Sequence, residues 1–450
     1  CFLLTFVVPL GKTISLPAIQ GFYFCNETND DLLKTFYSLL LFAFLGYCCN
    51  TSSRDKKPEE DSLQYYPATP EKIDQQEFRE YYRKLSAFFD TTLLRNNNFN
   101  GGILIAKNGS VIYEKYTGKV DLRKKDTLTE NTPLHIASTT KTFTGIAVLR
   151  LIQEGRLSLN DTITKFFPSL PYPGITVKML LNHRSGLPNY VHFMDKTSWD
   201  KKQYATNADV LSILIKDKPN INFQPGKRFS YCNTNYILLA MIIEKITGKP
   251  YPEYMQQKFF GPLQMKNPYV FTLKDTLTAT PSFNYNGNYW NYDFLDGTYG
   301  DKNIYSTPQD LLKWDQALYT DQVLSKPLLD SAFAPYSFEK PSIHNYGLGW
   351  RLQLLPNGKK VVYHFGKWHG FNAAFARLMD EKVTIIILGN RFTRSIYGTA
   401  HLSYDIFGDY LQRGVKDEEE SDSLSTKKGE PATGERKKIS PKKINKKTRS

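Results

Sequence analysis

The sequence predicts an α+β fold, in which an antiparallel sheet is flanked by terminal helices and a large, mostly helical region separates the two parts of the sheet. Strand patterns joined by short turns occur towards both ends of the 450-residue chain, and such short connections are typical of antiparallel strands. Between them, from about residue 138 to 339, apolar residues recur mainly at helical spacing. The mean hydropathy of -0.43 excludes a protein with many membrane spans.

The first part of the sheet follows an amphipathic helix predicted over residues 71–94. Two strands, 102–106 and 111–116, are separated by an Asn-Gly dipeptide, which favours a two-residue hairpin turn. The second part comprises four strands joined by short turns, at about residues 348–355, 359–365, 371–379 and 383–388. A final helix is predicted over about residues 396–412. A Tyr- and Asn-rich loop, 283–299, interrupts the helical region and is expected to border a cleft.

A Ser-x-x-Lys motif, Ser138 to Lys141, lies where the helical region begins. Residues three apart share one face of a helical turn, so the Lys141 amine can reach the Ser138 hydroxyl and accept or stabilise its proton. The chain contains five other matches to this spacing, but only Ser138 follows an apolar segment and opens an apolar-periodic helix. The motif therefore indicates a serine nucleophile that needs no histidine base.

A second motif, Tyr231-x-Asn233, follows a Pro-Gly turn and precedes a helix predicted to begin near Ile237. A phenol can relay a proton, and a carboxamide can donate a hydrogen bond to a substrate carbonyl. The alternative is a polar turn with a capping asparagine, since Tyr289-Trp290-Asn291 also has this spacing.

The third motif is His364-Phe365-Gly366, followed by Lys367 near a predicted strand end. Together the three motifs, in this order, resemble those of the serine β-lactamase and penicillin-binding-protein superfamily. The resemblance is greatest to the class C-like, β-lactamase-related peptidases and esterases, and it runs from about Gly101 to Arg391. Further matching segments lie at residues 154–161, 180–187, 305–311 and 346–350.

The resemblance implies a β-lactamase/transpeptidase-like fold and a reaction through an acyl-enzyme on Ser138. Lys141 and Tyr231 would share the proton transfers, and the sequence does not tell which of them is the base. Asn233, His364, Gly366 and Lys367 would contact substrate, and the backbone N–H groups of Ser138 and Lys367 would form the oxyanion hole. No cofactor and no metal are expected, because the seven histidines are scattered and no Cys/His cluster has zinc spacing.

Position 364 bears on the substrate. The family's Lys-Thr-Gly form supplies a permanent cation and a hydroxyl for a substrate carboxylate, whereas His364-Phe365 offers a partly charged imidazole and no hydroxyl. This favours an esterase, amidase or D-aminopeptidase-like activity over a D-Ala-D-Ala carboxypeptidase or β-lactamase, for which Lys367 or Arg377 could still supply charge. A non-catalytic protein that binds or senses cell-wall peptides is a further alternative. His183 is expected to order its loop, and His369 to lie at the rim.

The resemblance and the chain ends together predict the organisation of the chain and its location. Residues 1–68 are predicted to hold an export signal, a lipid-anchor cysteine (Cys48 or Cys49) and a polar tether; an uncleaved membrane anchor is the alternative. Residues 69–414 would form the catalytic domain, with its sheet part at about 69–137 and 340–414. The charged tail, 415–450, is predicted to be disordered.

These features predict a membrane-anchored lipoprotein, acting as a monomer in the bacterial cell envelope on a small molecule or a cell-wall peptide. The net charge of +14 could suggest nucleic-acid binding. Part of that charge lies in the basic C-terminal tail, however, and no nucleic-acid motif accompanies it. We therefore expect no nucleic-acid partner.

Overall fold

An antiparallel sheet of seven strands organises the part of the chain described by the computed structural model, residues 73–95 and 98–411. Its strands are β1 (Gly101–Lys107), β2 (Ser110–Thr117), β6 (His344–Tyr346), β7 (Arg351–Leu354), β8 (Lys360–Trp368), β9 (Phe371–Leu378) and β10 (Val383–Gly389). The spatial order is β2-β1-β10-β9-β8-β7-β6. Every neighbouring pair is antiparallel, so strands from the two parts of the sequence meet where β1 pairs with β10.

Most of the remaining elements lie in the helical region. Its short three-stranded sheet consists of β3 (Leu134–His135), β4 (Tyr269–Val270) and β5 (Ile304–Ser306). The helices of the described residues are α1 (Gln75–Thr91), α2 (Thr140–Gln153), α3 (Ile163–Phe166), α4 (Val177–Leu181), α5 (Tyr190–Phe193), α6 (Asn207–Asp217), α7 (Thr234–Thr247), α8 (Tyr251–Met255), α9 (Pro308–Ala317), α10 (Lys326–Ala332) and α11 (Ser395–Ser403). Short 3₁₀ or π turns occur at 137–139, 194–196, 256–260, 273–275 and 404–406.

The sheet is covered on both faces, and strand β10 shows why its sequence is almost continuously apolar. Every residue of this strand is buried. Ile385 and Ile387 pack in a cluster with Phe89 of α1 and with α11, whereas Ile386 on the opposite face packs in the cluster that contains Trp314 of α9. Because successive side chains point to opposite faces of a strand, a strand between two layers needs apolar residues at nearly every position.

The predicted α+β sheet arrangement is confirmed, with different bounds for several elements. The hairpin turn at Asn108 and Gly109 has φ angles of 49° and 75°, which a two-residue type I′ turn requires. The final helix stops at Ser403 rather than near residue 412. There the carboxylate of Asp405 accepts backbone N–H groups of Tyr410 and the following residue, at 3.1 and 3.3 Å, so the chain folds back.

Other differences have equally local causes. The strand predicted over 348–355 begins only at Arg351, because the preceding residues form a tight turn with Gly349 at a φ of 94°. Helix α7 begins at Thr234, three residues before the predicted start at Ile237. The strands β3 to β6 are two or three residues long, too short to show a periodicity in the sequence.

The predicted export signal, anchor cysteines and charged tail lie outside the described residues. Among the residues that are described, no helix combines the length and the apolar character needed to cross a membrane.

Candidate active site

Ser138 lies in a short 3₁₀ turn, 137–139, between β3 and helix α2. It therefore precedes the helix rather than opening it. The turn starts with Ala137 at a φ of 47°, an uncommon conformation for a residue with a side chain. Ser138 is partly exposed, whereas its neighbours from 134 to 149 are buried. The nucleophile predicted from the sequence is thus the one accessible side chain in this stretch.

A neutral histidine, His135, stabilises this turn through a hydrogen bond. His135 Nδ1 accepts the backbone N–H of Ala137 at 3.0 Å, and Nε2 lies 3.0 Å from Asn303 Oδ1. Because Nδ1 is an acceptor, the imidazole proton is on Nε2. Burial lowers the pKa of His135 to about 3, so the ring stays neutral at physiological pH.

Lys141 lies one turn further along, fully buried, with its amine directed back to Ser138. Its Nζ is 3.1 Å from Ser138 Oγ and 2.8 Å from both Asn233 Oδ1 and the backbone oxygen of Asp301. Burial lowers the pKa of Lys141 to about 7, with the Asp301 carboxylate opposing the change and the Arg351 guanidinium adding to it. Near neutral pH a large fraction of this amine is therefore unprotonated.

Tyr231 presents a buried hydroxyl in the same place. This hydroxyl has no hydrogen-bond partner within normal distance among the described residues. Its interaction with Ser138 lowers the pKa of Tyr231, but the opposite effect of burial is larger. Burial raises the pKa of Tyr231, so the phenol remains protonated at neutral pH. Its ring centroid lies 4.9 Å from Lys141 Nζ and 5.1 Å from the guanidinium carbon of Arg351.

Asn233 is the residue before helix α7, but its side chain does not cap that helix. The amide oxygen instead accepts a hydrogen bond from Lys141, and the backbone N–H donates to Asn189 Oδ1 at 3.2 Å. The alternative of a capping asparagine is therefore wrong for the side chain. With its oxygen engaged, Asn233 has only its amide nitrogen to offer a substrate carbonyl.

His364 does not carry the partial charge expected from the sequence. It is completely buried, and burial together with the nearby Arg351 holds its pKa well below the usual range. Nε2 lies 3.2 Å from the Tyr346 hydroxyl, and Nδ1 lies 2.8 Å from the Phe365 backbone oxygen. The correction has a simple physical reason, because an imidazole without access to water pays the full desolvation cost of a charge.

A second histidine shares the Tyr346 hydroxyl, and the hydrogen bonds assign both tautomers. His183 Nδ1 accepts the backbone N–H of Cys232 at 3.1 Å, so its Nε2–H donates to Tyr346, 3.2 Å away. The Tyr346 hydroxyl then donates to His364 Nε2, and His364 Nδ1–H donates to its own strand. His183 therefore holds the segment that carries Tyr231, and both rings are neutral.

A glycine is needed at position 366 because the backbone around Ser138 leaves no room for a side chain. A Cβ atom at this position would lie 2.4 Å from the Ile136 oxygen and 2.9 Å from the Ser138 nitrogen. The family resemblance implies that Gly366 contacts substrate, but the atoms nearest to an added Cβ belong to the turn that carries Ser138 and to the residue before that turn. Strand β8 and the turn are consequently in backbone contact, one residue before Lys367.

Of the two other cations considered for a substrate carboxylate, Arg377 is excluded. It is fully buried and its Nε donates to Asp315 Oδ1 at 2.5 Å, so it ties the sheet to helix α9. Lys367 is half-buried, with Nζ 4.6 Å from the Phe392 ring centroid. Asp310, in the first turn of helix α9, accepts the N–H groups of Lys266 and Asn267.

Sequence reasoning missed two charged residues of the site, Arg351 and Asp301. Both are buried, with 7% and 2% of their surface exposed. Each has a signal in hindsight: Arg351 directly follows the family-like segment 346–350, and Asp301 belongs to an Asp-Lys pair just before an apolar strand. A charged side chain is costly to bury, so a buried one is a candidate for function.

The aromatic loop contacts the turn that follows the third motif. Asp296 accepts Trp368 Nε1 at 2.6 Å and contacts His369 Nε2 at 2.9 Å, which anchors His369. Ligand atoms of Asp293, Asp296 and His369 lie within 4.8 Å of one another, as a metal site could require. The Asp296 carboxylate is already engaged by protein donors, however, so this cluster gives no positive argument for a metal.

Comparison with known proteins identifies the family and the fold. A family model described as Beta-lactamase matches residues 89–402. Penicillin-binding protein 4* of Bacillus subtilis is 32% identical over 338 residues, which cover 71% of this chain and 74% of the relative. Protein flp of Staphylococcus aureus (strain MW2) is 30% identical over 332 residues, 68% of this chain and 63% of its own length.

Two solved structures share the fold. The octameric penicillin-binding protein homologue from Pyrococcus abyssi is 26% identical, with a TM-score of 0.62, and the match covers 72% of this chain and 77% of that one. The D-amino acid amidase from Ochrobactrum anthropi SV3, complexed with L-phenylalanine, is 23% identical, with a TM-score of 0.60 and coverage of 73% and 97%. The predicted superfamily and fold are confirmed, and the chain belongs to the Beta-lactamase family.

Proposed function

We propose that this chain is a serine hydrolase that forms an acyl-enzyme on Ser138. Its substrate carries an ester, amide or peptide bond, and we favour an esterase, amidase or D-aminopeptidase-like activity. The proposal goes beyond family membership, since it assigns the nucleophile, the base and the kind of bond that is broken.

The contacts of Lys141 carry this proposal. A neutral amine has two N–H groups and one lone pair. Asn233 Oδ1 and the Asp301 backbone oxygen, both 2.8 Å from Nζ, accept the two hydrogens. The lone pair is then left for the hydroxyl of Ser138, 3.1 Å away. A pKa of about 7 makes this neutral form accessible at physiological pH.

The proposed reaction begins when Ser138 Oγ attacks the carbonyl carbon and its proton moves to Lys141. The protonated phenol of Tyr231 is suited to deliver a proton to the leaving group, because its raised pKa excludes it as the base at neutral pH. Backbone N–H groups of Ser138 and Lys367 would stabilise the oxyanion, worth about 100- to 1000-fold in rate for each donor. Water then attacks the acyl-enzyme and gives its proton to the Tyr231 phenolate, while protonated Lys141 returns a proton to Ser138 Oγ. Both groups thereby regain their starting states.

Neutral His364 supports the preference for substrates without a carboxylate next to the scissile bond. A buried, uncharged imidazole cannot replace the lysine of a Lys-Thr-Gly motif as a counter-ion. Substrates held by neutral hydrogen bonds, such as esters and amides, fit this site better.

A second candidate, a carboxypeptidase or β-lactamase acting on peptidoglycan-like substrates, is favoured by Arg351. Its guanidinium is permanently charged and lies 5.1 Å from the Tyr231 ring centroid. It would supply the cation that His364 lacks. In either case the chain would act in the bacterial cell envelope, anchored to the membrane through its N-terminal region as a lipoprotein, and as a monomer.

The decisive experiment is intact-mass spectrometry of the whole chain after exposure to a fluorophosphonate and, separately, to a penicillin. Ser138→Ala is the control, and circular dichroism verifies that both proteins are folded. We expect one fluorophosphonate adduct that is absent from the variant. The absence of any adduct on folded protein would overturn the proposal and favour a non-catalytic, peptide-binding protein.

A substrate pair then separates the two candidates. A peptide ending in D-Ala-D-Ala would be compared with the same peptide bearing a C-terminal amide, in the parent and in Arg351→Gln. Equal cleavage of both peptides supports the amidase-like activity. A strong preference for the free carboxylate that Arg351→Gln abolishes would support the carboxypeptidase.

A further inference from the structure

The nucleophile helix lies against a buried pair of opposite charges that the reaction itself does not use. Asp301 and Lys302 are each only 2% exposed, and Lys302 Nζ lies 3.9 Å from Asp301 Oδ1. Removing two ions from water is costly before their attraction is counted. A pair of apolar residues would avoid that cost, so the position of these charges calls for a function.

Helix α2 holds this segment through three of its residues. The Thr144 hydroxyl donates to the Gly300 oxygen at 2.6 Å, and Lys141 Nζ donates to the Asp301 oxygen at 2.8 Å. Thr140 Oγ1 accepts the N–H of Ile304 at 3.2 Å. The Asp301 backbone therefore accepts a hydrogen bond from Lys141, and the contacts with helix α2 fix the position of the Asp301 carboxylate.

The two charges are held apart by a shared phenol. The Tyr190 hydroxyl donates to Asp301 Oδ2 at 2.9 Å and accepts a hydrogen bond from Lys302 Nζ at 2.7 Å. Lys302 also donates to Thr298 and lies 4.6 Å from the Trp368 ring centroid. Asp301 Oδ1 has no hydrogen-bond partner among the described residues, and Lys302 Nζ lies 3.9 Å from it.

We propose that Asp301 and Lys302 are positioning residues of opposite charge that together set the protonation state and the location of the Lys141 amine. The Asp301 carboxylate favours the ammonium form of Lys141. Lys141 lowers the pKa of Lys302 through charge repulsion, and because repulsion between two ammonium groups is mutual, a charged Lys302 in turn favours the neutral amine of Lys141. The inference rests on the proposed function, in which Lys141 is the base. It adds two residues that touch neither substrate nor Ser138.

Other groups around Lys141 also act on it, and the test must hold them constant. The Arg351 guanidinium favours the neutral amine, as does burial. Five other titratable groups interact with Lys141, namely His183, Tyr231, Cys232, Tyr236 and His364. All five are neutral at pH 7, because burial depresses the pKa of the histidines and raises those of the tyrosines and of the cysteine.

The test is the pH dependence of fluorophosphonate labelling in near-isosteric variants of the whole chain. Removing the negative charge with Asp301→Asn should move the acid limb of the profile to lower pH, by about one unit. Removing the positive charge with Lys302→Met should move it to higher pH by a similar amount. Lys326→Met, which removes a lysine whose side chain is 74% exposed, is the matched control and should leave the limb in place.

Shifts of opposite sign are a result that a merely structural role would not produce. If both variants lose rate with the limb unmoved, or if both limbs move in the same direction, the proposal is overturned. Lys302→Gln carries the same prediction if Lys302→Met does not fold. If Asp301→Asn does not fold because Lys302 is left unpaired, the double variant is compared with Lys302→Met, and its limb should lie about one unit lower.

Failure of the hydrolase proposal can be distinguished from failure of the positioning role. If the parent protein is never labelled, the hydrolase proposal fails. The sign test is then made on the Lys141 amine directly, by carbon-13 NMR titration of labelled lysine, with Lys141→Arg to assign the resonance. Titration midpoints that do not move apart in the two variants would overturn the positioning role by itself.

Discussion

The Lys141 amine lies 3.1 Å from the Ser138 hydroxyl oxygen, and both of its other polar contacts are to acceptors. In the proposed mechanism this amine acts as a base only when it is neutral. The pH dependence of the site therefore follows from a single group, and it can be measured with a reagent that reports on Ser138 alone.

We expect fluorophosphonate labelling to rise with pH and to level off above about pH 7. Since burial lowers the pKa of Lys141 to about 7, each unit below that value leaves about tenfold less neutral amine. The measurement is the second-order labelling rate between pH 5 and 9. Lys141→Met should lose the pH dependence together with most of the rate, and a parent profile that is flat across pH 7 would contradict Lys141 as the base.

Tyr231→Phe should lower kcat/KM by about 100- to 10,000-fold, because the variant lacks the phenol that we propose protonates the leaving group. The fold should not suffer, since the buried hydroxyl has no hydrogen-bond partner among the described residues. Steady-state kinetics and thermal denaturation test both statements. A large fall in melting temperature would mean that the hydroxyl has a structural partner, and unchanged kinetics would remove Tyr231 from the mechanism.

Gly366→Ala should impair the nucleophile turn. The new Cβ would meet the Ile136 oxygen at 2.4 Å and the Ser138 nitrogen at 2.9 Å, both of which are backbone atoms that cannot swing away. We expect a loss of about 1–3 kcal/mol of stability and, from displacement of Ser138, about 100-fold slower labelling.

Gly398→Ala provides the contrast for this substitution. Gly398 lies exposed in helix α11, with no atom within 4 Å of an added Cβ. Alanine there should stabilise the protein by about 0.5–1 kcal/mol, because glycine is a poor residue inside a helix. Urea denaturation compares the two variants, and equal stability changes would argue against the close approach of strand β8 to the turn.

Arg377→Met should destabilise the fold by about 3–5 kcal/mol, since it leaves the buried carboxylate of Asp315 without its charged partner. Adding Asp315→Leu in the same chain should recover part of that loss. Lys326→Met breaks an exposed pair with Asp330 and should leave the melting temperature unchanged. If Arg377→Met and Lys326→Met have the same melting temperature, the buried pair contributes nothing to the stability of the fold.

Much of the fold was predictable because long elements have a visible periodicity. The strands that became β8, β9 and β10 were located to within a few residues, and so was the hairpin around Asn108, where the turn chemistry is local. The short strands β3 to β6 were missed, as two or three residues give no pattern. The early end of helix α11 depends on the Asp405 carboxylate, a contact that periodicity does not record.

The sequence by itself determined the order of the three motifs and the family to which the fold belongs, and it predicted Ser138, Lys141 and Tyr231 as the catalytic residues. Only the tertiary structure decided the electrostatics. Burial makes His364 neutral and removes Arg377 from the site, while it brings Arg351 and Asp301 to the Lys141 amine. The physical reason is that spacing along a chain encodes local geometry, whereas the charge state of a side chain depends on its distance from water and on residues far away in sequence.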